Sequence, residues 1–446
     1  MNMRHSNLGL IVAEVRRQPR TRAQLASDVD MTKAAVGSLV GELERRGVMH
    51  VSDEAVPSNG GRPGRAVKLV SDRVLSVGIS LSGSYVIGAV VDLAGATVAR
   101  HLVPVRVQTL LPQELCEVVV DLVHAAVKGP EFGPRHVLLG GVAVGAPDLV
   151  DSRVGVVRRS ATIGLTDFPL RQTLEVALAD LTDNIHVEND ARLGAIAEHR
   201  HLGQDRLQNL VYLTGSTAIG AGVIADGHVL RGRAGYAGEV GHTVIAPDGR
   251  RCTCGNDGCL EAEVGVLAFL EAAAEGDDPV RDRQVPLDER MTTILSRAAD
   301  GDPRILAAIQ HVGTNLGLGV AGLINILNPD AVVLGGYFAR LFPYLRDALN
   351  RVLIARVMPE SLAGCEIVPS ELGAYAGAIG AGHVIADQVI ANPAAVPFRA
   401  SVPARLDVQQ LLGTSFVRIA SSARSTARPP RPAGTPVGAA ERTRGS

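Results

Sequence analysis

Cysteine is scarce in this chain and unevenly placed: of five copies, three fall between residues 252 and 259, while Cys116 and Cys365 stand alone. That usage excludes a disulfide framework and suits metal binding in a reducing cytoplasm. Long apolar runs are lacking as well. No segment offers the ~18 uncharged apolar residues of a membrane span, so no membrane partner is expected. Nothing at the start reads as a signal peptide, because Met1 to Ser6 is polar and the run after it carries Glu14, Arg16 and Arg17. Lysine is rare beside arginine, and Ala, Gly and Val abound, a composition that suggests a GC-rich genome.

The net charge of −2 hides an asymmetry. Residues 1–70 carry 11 Lys/Arg against 7 Asp/Glu, and residues 401–446 carry 7 Arg against 2 acids, which leaves an acidic middle. A basic head on an acidic body suits a polyanionic partner, although an ordinary solvated surface gives the same balance. With 446 residues, 46% of them hydrophobic, the chain is long enough for more than one packed domain.

The densest chemistry lies in Gly238-Glu239-Val240-Gly241-His242 and in Cys252-Thr253-Cys254-Gly255-Asn256-Asp257-Gly258-Cys259-Leu260-Glu261. His242, Cys252, Cys254 and Cys259 are near enough in sequence to close around one ion. One imidazole and three thiolates form a soft tetrahedral set suited to structural Zn2+. The glycines permit a tight knuckle, and Glu239 and Glu261 flank the ligands. The bland alternative is a group of scattered thiols with no metal. The pattern resembles the zinc motif of the ROK family of repressors and sugar kinases. Both branches carry that motif, so the activity must be read from other residues.

At the N-terminus, Leu8, Ile11, Val12 and Val15 share one helix face, and Gln18-Pro19 ends that helix. Thr21 caps a second short helix, and Asp28 to Met31 is a turn. Thr32 caps a third helix with Val36, Leu39, Val40 and Leu43 on one face, closed by Gly47. Two short strands follow, Val48 to Val51 and Ala66 to Val70. Three helices and a hairpin predict a winged helix-turn-helix over residues 1–72. Its third helix would meet the major groove of double-stranded operator DNA through Thr32, Lys33, Ala35 and Ser38, and a wing would bring Arg62 and Arg65 to the backbone or a narrow minor groove. A small dimerisation or docking module is the alternative. The order of residues is similar to the head of ROK repressors, which ROK kinases lack.

Residues 73–390 alternate apolar strands and amphipathic helices, which indicates α/β architecture. The resemblance, which spans most of residues 6–390, implies two actin-like (ribonuclease H-like) ATPase lobes around a cleft. Asn189-Asp190-Ala191, preceded by Glu188, matches the family's sugar-site motif. Carried over by position, the sugar contacts are Asn189, Asp190, Glu239, His242 and Glu261, and Gly145-Ala146-Pro147 matches a loop near the same pocket. Standing alone, Asn189-Asp190 reads as a helix N-cap. Where ROK kinases usually have an Asn and a Trp, this chain has Thr162 and Leu165, which implies a shorter hydrogen-bonding arm and an altered lid.

The kinases' phosphate loops are eroded. The first reads roughly Gly-Ile-Asp-x-Gly-Gly-Thr-Lys in the family; here Ser80 replaces the acid, Ser82 a glycine and Tyr85 the lysine. In the second, Ser216 and Ala218 stand where glycines let phosphate approach the backbone, while Thr217 survives. Without an acid for magnesium, phosphoryl transfer loses a main source of charge stabilisation. The expectation is a non-enzymatic, cytoplasmic, nucleoid-associated regulator, a repressor of carbohydrate uptake or metabolism genes, acting as a homodimer or dimer of dimers. Its rivals are an active sugar kinase with an added head and a regulator controlled by a phosphotransfer protein. Residues 391–446, rich in Pro, Ala and Arg, read as a largely disordered tail whose arginines add nonspecific DNA affinity or have no role.

Overall fold

The computed structural model describes residues 3–58, 61–133, 137–216, 218–282 and 284–399, with the strand path alone at 54–58 and 61–63. The Arg62 side chain, Thr217 and the Arg-rich segment from 400 onward lie outside the described residues.

The head comprises α1 (Met3–Arg17), β1 (Arg20–Thr21), α2 (Arg22–Asp28), α3 (Lys33–Arg46), β2 (Met49–Ser58) and β3 (Gly61–Leu69). Thr21 forms a capping box with Gln24, and Thr32 Oγ1 accepts from the Ala35 amide at 3.2 Å. Gly47 ends α3 at φ 72, a left-handed position that favours glycine. The two apolar stripes pack as their spacing requires: Leu8, Ile11, Val12 and Val15 meet Val36, Leu39, Val40 and Leu43 in one core. The hairpin gains a third strand, since β1 pairs with β3. Two residues are too few to show periodicity in sequence.

The first lobe is built from β4 (Val74–Leu81), β5 (Tyr85–Asp92), β6 (Thr97–Pro104), α4 (Pro112–Val127), β7 (Leu138–Ala146), β8 (Leu149–Asp151), β9 (Val156–Ser160), β10 (Leu165–Phe168), α5 (Leu170–Ala177), β11 (Ile185–Asn189) and α6 (Asp190–His201). Its main sheet runs β11-β7-β4-β5-β6; β4, β5 and β6 are antiparallel, while β7 and β11 are parallel to β4. A small sheet, β10-β9-β8, borders it.

The second lobe contains β12 (Leu210–Gly215), β13 (Ile219–Ala225), β14 (His228–Val229), α7 (Leu260–Val264), α8 (Val266–Ala273), α9 (Leu287–Ala299), α10 (Pro303–Leu327), β15 (Ala331–Gly336), α11 (Tyr337–Arg356), α12 (Pro359–Ala363) and β16 (Glu366–Pro369). Its sheet, β14-β13-β12-β15-β16, repeats the order of the first. This tandem ribonuclease H-like arrangement is the actin-like body expected. α10 has the length and composition to cross a bilayer, unlike anything the sequence reading allowed for, yet half of its apolar window is buried in the second-lobe core.

The last helix, α13 (Ala376–Ala391), returns to the first lobe and the head. It lies backbone against backbone: a Cβ on Gly380 would stand 1.8 Å from the Leu193 carbonyl oxygen of α6. Residues 392–399, which composition assigns to the tail, pack on the head. Ile390 and Val396 join its apolar core, and Arg46 Nη1 donates to the carbonyls of Ala394 at 2.7 Å and Val396 at 2.5 Å.

Candidate functional site

Two loops and one knuckle build the cleft site. β7 ends in Gly145-Ala146-Pro147, and a Cβ on Gly145 would lie 3.2 Å from the Asp190 Cα, so this loop sits directly against the start of α6. The next residue, Asp148, is held at φ 65, an uncommon position for a residue with a side chain. Its carboxylate accepts from Ser160 Oγ at 2.8 Å, Thr162 N at 3.1 Å and Thr162 Oγ1 at 3.3 Å. Sequence reasoning missed Asp148; an aspartate directly after Gly145-Ala146-Pro147 was the signal available. It also assigned Thr162 a pocket arm and Leu165 a lid position. Thr162 is instead spent on Asp148, and Leu165 is buried in the first-lobe core.

Asn189 caps α6: its Oδ1 accepts from Arg192 N at 3.0 Å, and its Nδ2 donates to the Asp148 carbonyl at 3.0 Å. One amide hydrogen is left for a ligand. Asp190 follows, half-buried, with Oδ1 accepting from Ala191 N at 2.8 Å. Burial, and next the charge of Asp148, push its carboxyl up to about 7. Behind it, the fully buried Glu188 pairs with Arg192 at 3.0 Å and with Arg231 at 3.0 Å. The Arg192 and Arg231 guanidiniums are thus held from behind.

From the second lobe, residues 238–242 lie flat on β13. A Cβ on Gly238 would meet the Ala221 carbonyl oxygen at 2.5 Å, and one on Gly241 would meet that of Ile219 at 2.6 Å. This close approach presents Glu239 and His242. Glu261, in the first turn of α7, accepts from Ile219 N at 2.9 Å. Burial raises the carboxyls of both Glu239 and Glu261 above their usual range, and the Asp148 charge acts on both in the same direction. The structure therefore brings Asp190, Glu239, His242 and Glu261 to one place with Asp148.

Donor atoms of His242, Cys252, Cys254 and Cys259 all lie within 4.8 Å of one another. Cys252 Sγ is 3.7 Å from His242 Nδ1, and Cys254 Sγ is 3.6 Å from Cys259 Sγ. A tetrahedral ion with ~2.3 Å metal–sulfur bonds has ligand–ligand edges of about 3.7 Å; these two edges match that spacing, and the His/Cys3 chemistry suits a metal ion. The cysteines are free thiols.

The two loops that match the kinases' phosphate turns make internal hydrogen bonds. Ser82 Oγ accepts from the amides of Ser84 at 3.3 Å and Tyr85 at 3.3 Å, so donors expected to face a phosphate are turned onto a side chain. Tyr85 packs with Leu372 and Tyr375 against an apolar cluster. Ser216 N donates to the Ala218 carbonyl at 2.9 Å, tightening the second loop.

On the head, Thr32, Lys33, Ala35 and Ser38 are exposed at the start of α3, while Val36, Leu39 and Val40 on its other face are buried. Arg65 is exposed on the hairpin and pairs with Asp53 at 2.7 Å. Lys33→Ala is expected to weaken duplex binding uniformly across sequences and to lower the log Kd–log salt slope by about 1; a gel-shift titration with an unchanged slope would remove Lys33 from the interface.

Two tandem ribonuclease H-like lobes, a His/Cys3 knuckle beside a cluster of carboxylates and a winged head define the class: a two-lobed actin-like body joined to a helix-turn-helix. The ROK family model matches residues 76–388, and the chain belongs to that family. The xylose repressor of Bacillus subtilis (strain 168) is 27% identical over 390 residues, 86% of this chain and 96% of the relative. A glucokinase of Halalkalibacterium halodurans is 29% identical over 322 residues, 70% of this chain and 95% of the relative. The crystal structure of a ROK family transcriptional regulator, homolog of E. coli MLC protein, aligns at a TM-score of 0.72 and 23% identity, covering 87% of this chain and 97% of that one, and shows the same fold.

Proposed function

We propose that this protein is a sugar-responsive, DNA-binding transcriptional regulator of the repressor type, controlling genes of carbohydrate uptake or metabolism. The observation that carries this reading is the winged head itself, with the polar start of α3 exposed and its apolar face buried. The similarity to a xylose repressor extends over 86% of the chain, against 70% for the glucokinase. Paired heads on a pseudo-palindromic operator call for a dimer or a dimer of dimers, working in the cytoplasm at the nucleoid.

In this reading Asp190 accepts a sugar hydroxyl, Asn189 offers its remaining amide hydrogen, and Glu239, Glu261 and His242 complete the contacts. Zn2+ held by His242, Cys252, Cys254 and Cys259 supplies structural cross-linking of the knuckle. His242 serves twice, with one nitrogen toward the metal and the other toward the sugar. Several carboxylates line the cleft, and the Arg192 and Arg231 guanidiniums share Glu188, so an uncharged sugar is favoured over a sugar phosphate.

A kinase reading draws support from Asp190, whose carboxyl near 7 would suit a general base. It is weaker on the phosphate side, where Ser80 brings no charge to magnesium and Ser82 occupies the loop amides. A thermal-shift screen separates the two. Stabilisation by a neutral pentose or hexose, with none by its phosphate ester or by ATP–magnesium, is the expected result. ATP-dependent phosphorylation of any sugar in the panel would replace the regulator-only reading with the kinase one.

A further inference from the structure

α13 and the segment after it touch both the sugar cleft and the recognition helix. At the start of α13, a Cβ on Gly377 would stand 2.7 Å from Ser80 Oγ and 3.4 Å from the Asp190 carbonyl oxygen. Three turns further on, Asp387 receives Arg16 of α1 at 2.7 Å and, through its other oxygen, Arg200 in the last turn of α6. α6 begins at Asp190, so one carboxylate joins the head to the far end of the helix that carries the candidate sugar acceptor. Asp190 and Arg200 lie about 15 Å apart along α6.

The chain then leaves α13 and grips α3. Arg46, the last residue of α3, donates to the carbonyls of Ala394 and Val396, and its guanidinium lies 4.3 Å from the centroid of the Phe398 ring. Arg73, fully buried, donates to the Arg46 carbonyl at 3.2 Å and to that of Pro397 at 3.4 Å. Between these ends α13 has little freedom to slide: a Cβ on Gly78 of β4 would stand 2.0 Å from the Ala378 carbonyl oxygen.

We propose that α13 and residues 392–399 form a strut that couples the sugar cleft to the recognition helix, with Asp387 its central positioning residue and the Arg46–Phe398 contact its grip on the head. The inference rests on the functional reading above and adds the route by which that function is exercised. A sugar drawn to Asp190 loads the start of α6. Its other end is tied through Asp387 to α1, and the strut holds α3, so cleft and head share one equilibrium. Ligands at two sites are coupled to the extent that each prefers one arrangement of the shared element. A packing role alone predicts no such link between the two ligands.

The test uses the full-length chain, with a duplex enriched by the wild type from a randomised pool and a panel of neutral pentoses and hexoses. For the wild type, the releasing sugar should weaken duplex binding by about 5–150-fold. Asp387→Asn and Phe398→Ala should each keep duplex and sugar affinities within about threefold of wild type when measured separately, while the sugar-induced weakening falls below about twofold. Asp387→Glu should restore most of it. If Asp387→Asn fails to fold, Phe398→Ala carries the test at the other end of the strut. Variants that keep the wild-type release ratio would overturn the strut and leave the regulator intact. A wild type that enriches no duplex, or that no sugar releases, overturns the functional reading and the strut with it.

Discussion

Asp190→Asn is expected to weaken sugar binding by about 10–100-fold and, at pH 8, to make the protein more stable. The first effect follows from replacing a charged acceptor, whose hydrogen bonds to hydroxyls are worth about 1.5–3 kcal/mol, by a weaker neutral one. The second follows from the displaced carboxyl. Its folded-state value of about 7 lies above the ordinary aspartate value of 3.8. The folded protein therefore holds a proton that the unfolded chain releases. The stabilisation this gives is complete below the unfolded value and is lost as pH rises through the folded one. Asparagine escapes that loss. The gain of Asp190→Asn should grow between pH 4 and 7 and level off above, at about 1–2 kcal/mol once solvent access to the half-buried carboxylate is allowed for. Sugar affinity of the wild type should fall over the same interval as pH is lowered. Calorimetric titration and thermal melts at several pH values check both. Unchanged sugar affinity would remove Asp190 from the cleft's working residues, and a loss of stability at pH 8 would show that its burial is not costly.

Cys252→Ser should produce the other large change. The wild type is expected to carry one zinc per chain, and the variant much less, by atomic emission. Residues 252–259 are joined to the rest of the knuckle mainly by the bridges Val244–Cys259 and Arg251–Asp257 and a few backbone bonds, so losing one thiolate should free the segment. A fall of at least about 4 kcal/mol in second-lobe stability is expected, since loss of a metal site is among the mechanisms behind the largest single-mutation effects. Sugar affinity should fall with it, because Glu261 follows Cys259 by two residues and its hold on Ile219 N depends on that anchorage. Duplex binding without sugar should be kept, since the head core draws on α1, α3 and the end of α13 and not on the knuckle. A metal-free wild type of undiminished stability would argue that the thiols serve no ion.

The features legible in the sequence were those with local causes. Helix faces at i, i+3, i+4 and i+7 reported the head core because one side of each helix must be buried. The Thr21 and Thr32 caps followed from the need of first-turn amides for an acceptor. The knuckle was legible because metal ligands must come from a short menu of residues. Contacts between distant segments were not legible. Gly145-Ala146-Pro147 places Asp148 beside the pocket loop, but no local pattern announces that its carboxylate joins those of Asp190, Glu239 and Glu261, which come from separate elements. Residues 392–399 looked like a tail because Pro and Ala suggest linker, whereas their carbonyls are bound by Arg46, nearly 350 residues earlier. Asn189 shows the remaining ambiguity: the amide that resembles a sugar ligand also caps a helix, and the structure shows it capping.

The head's dependence on the end of α13 also sets a timetable for making the protein. A Cβ on Gly9 would stand 2.8 Å from the Ala391 carbonyl oxygen, so α1 is fitted to a surface that is translated long after it. At 5–20 residues per second that interval is roughly 20–80 s. Throughout it, apolar residues of α1 lack the partners Ile390 and Val396. A nascent chain lacking its C-terminus would therefore be a poor competitor for operator sites, and recombination that exchanges residues 1–72 alone would leave the same face uncovered. The natural unit of exchange in this protein is discontinuous, joining the head to the end of α13 and the segment after it.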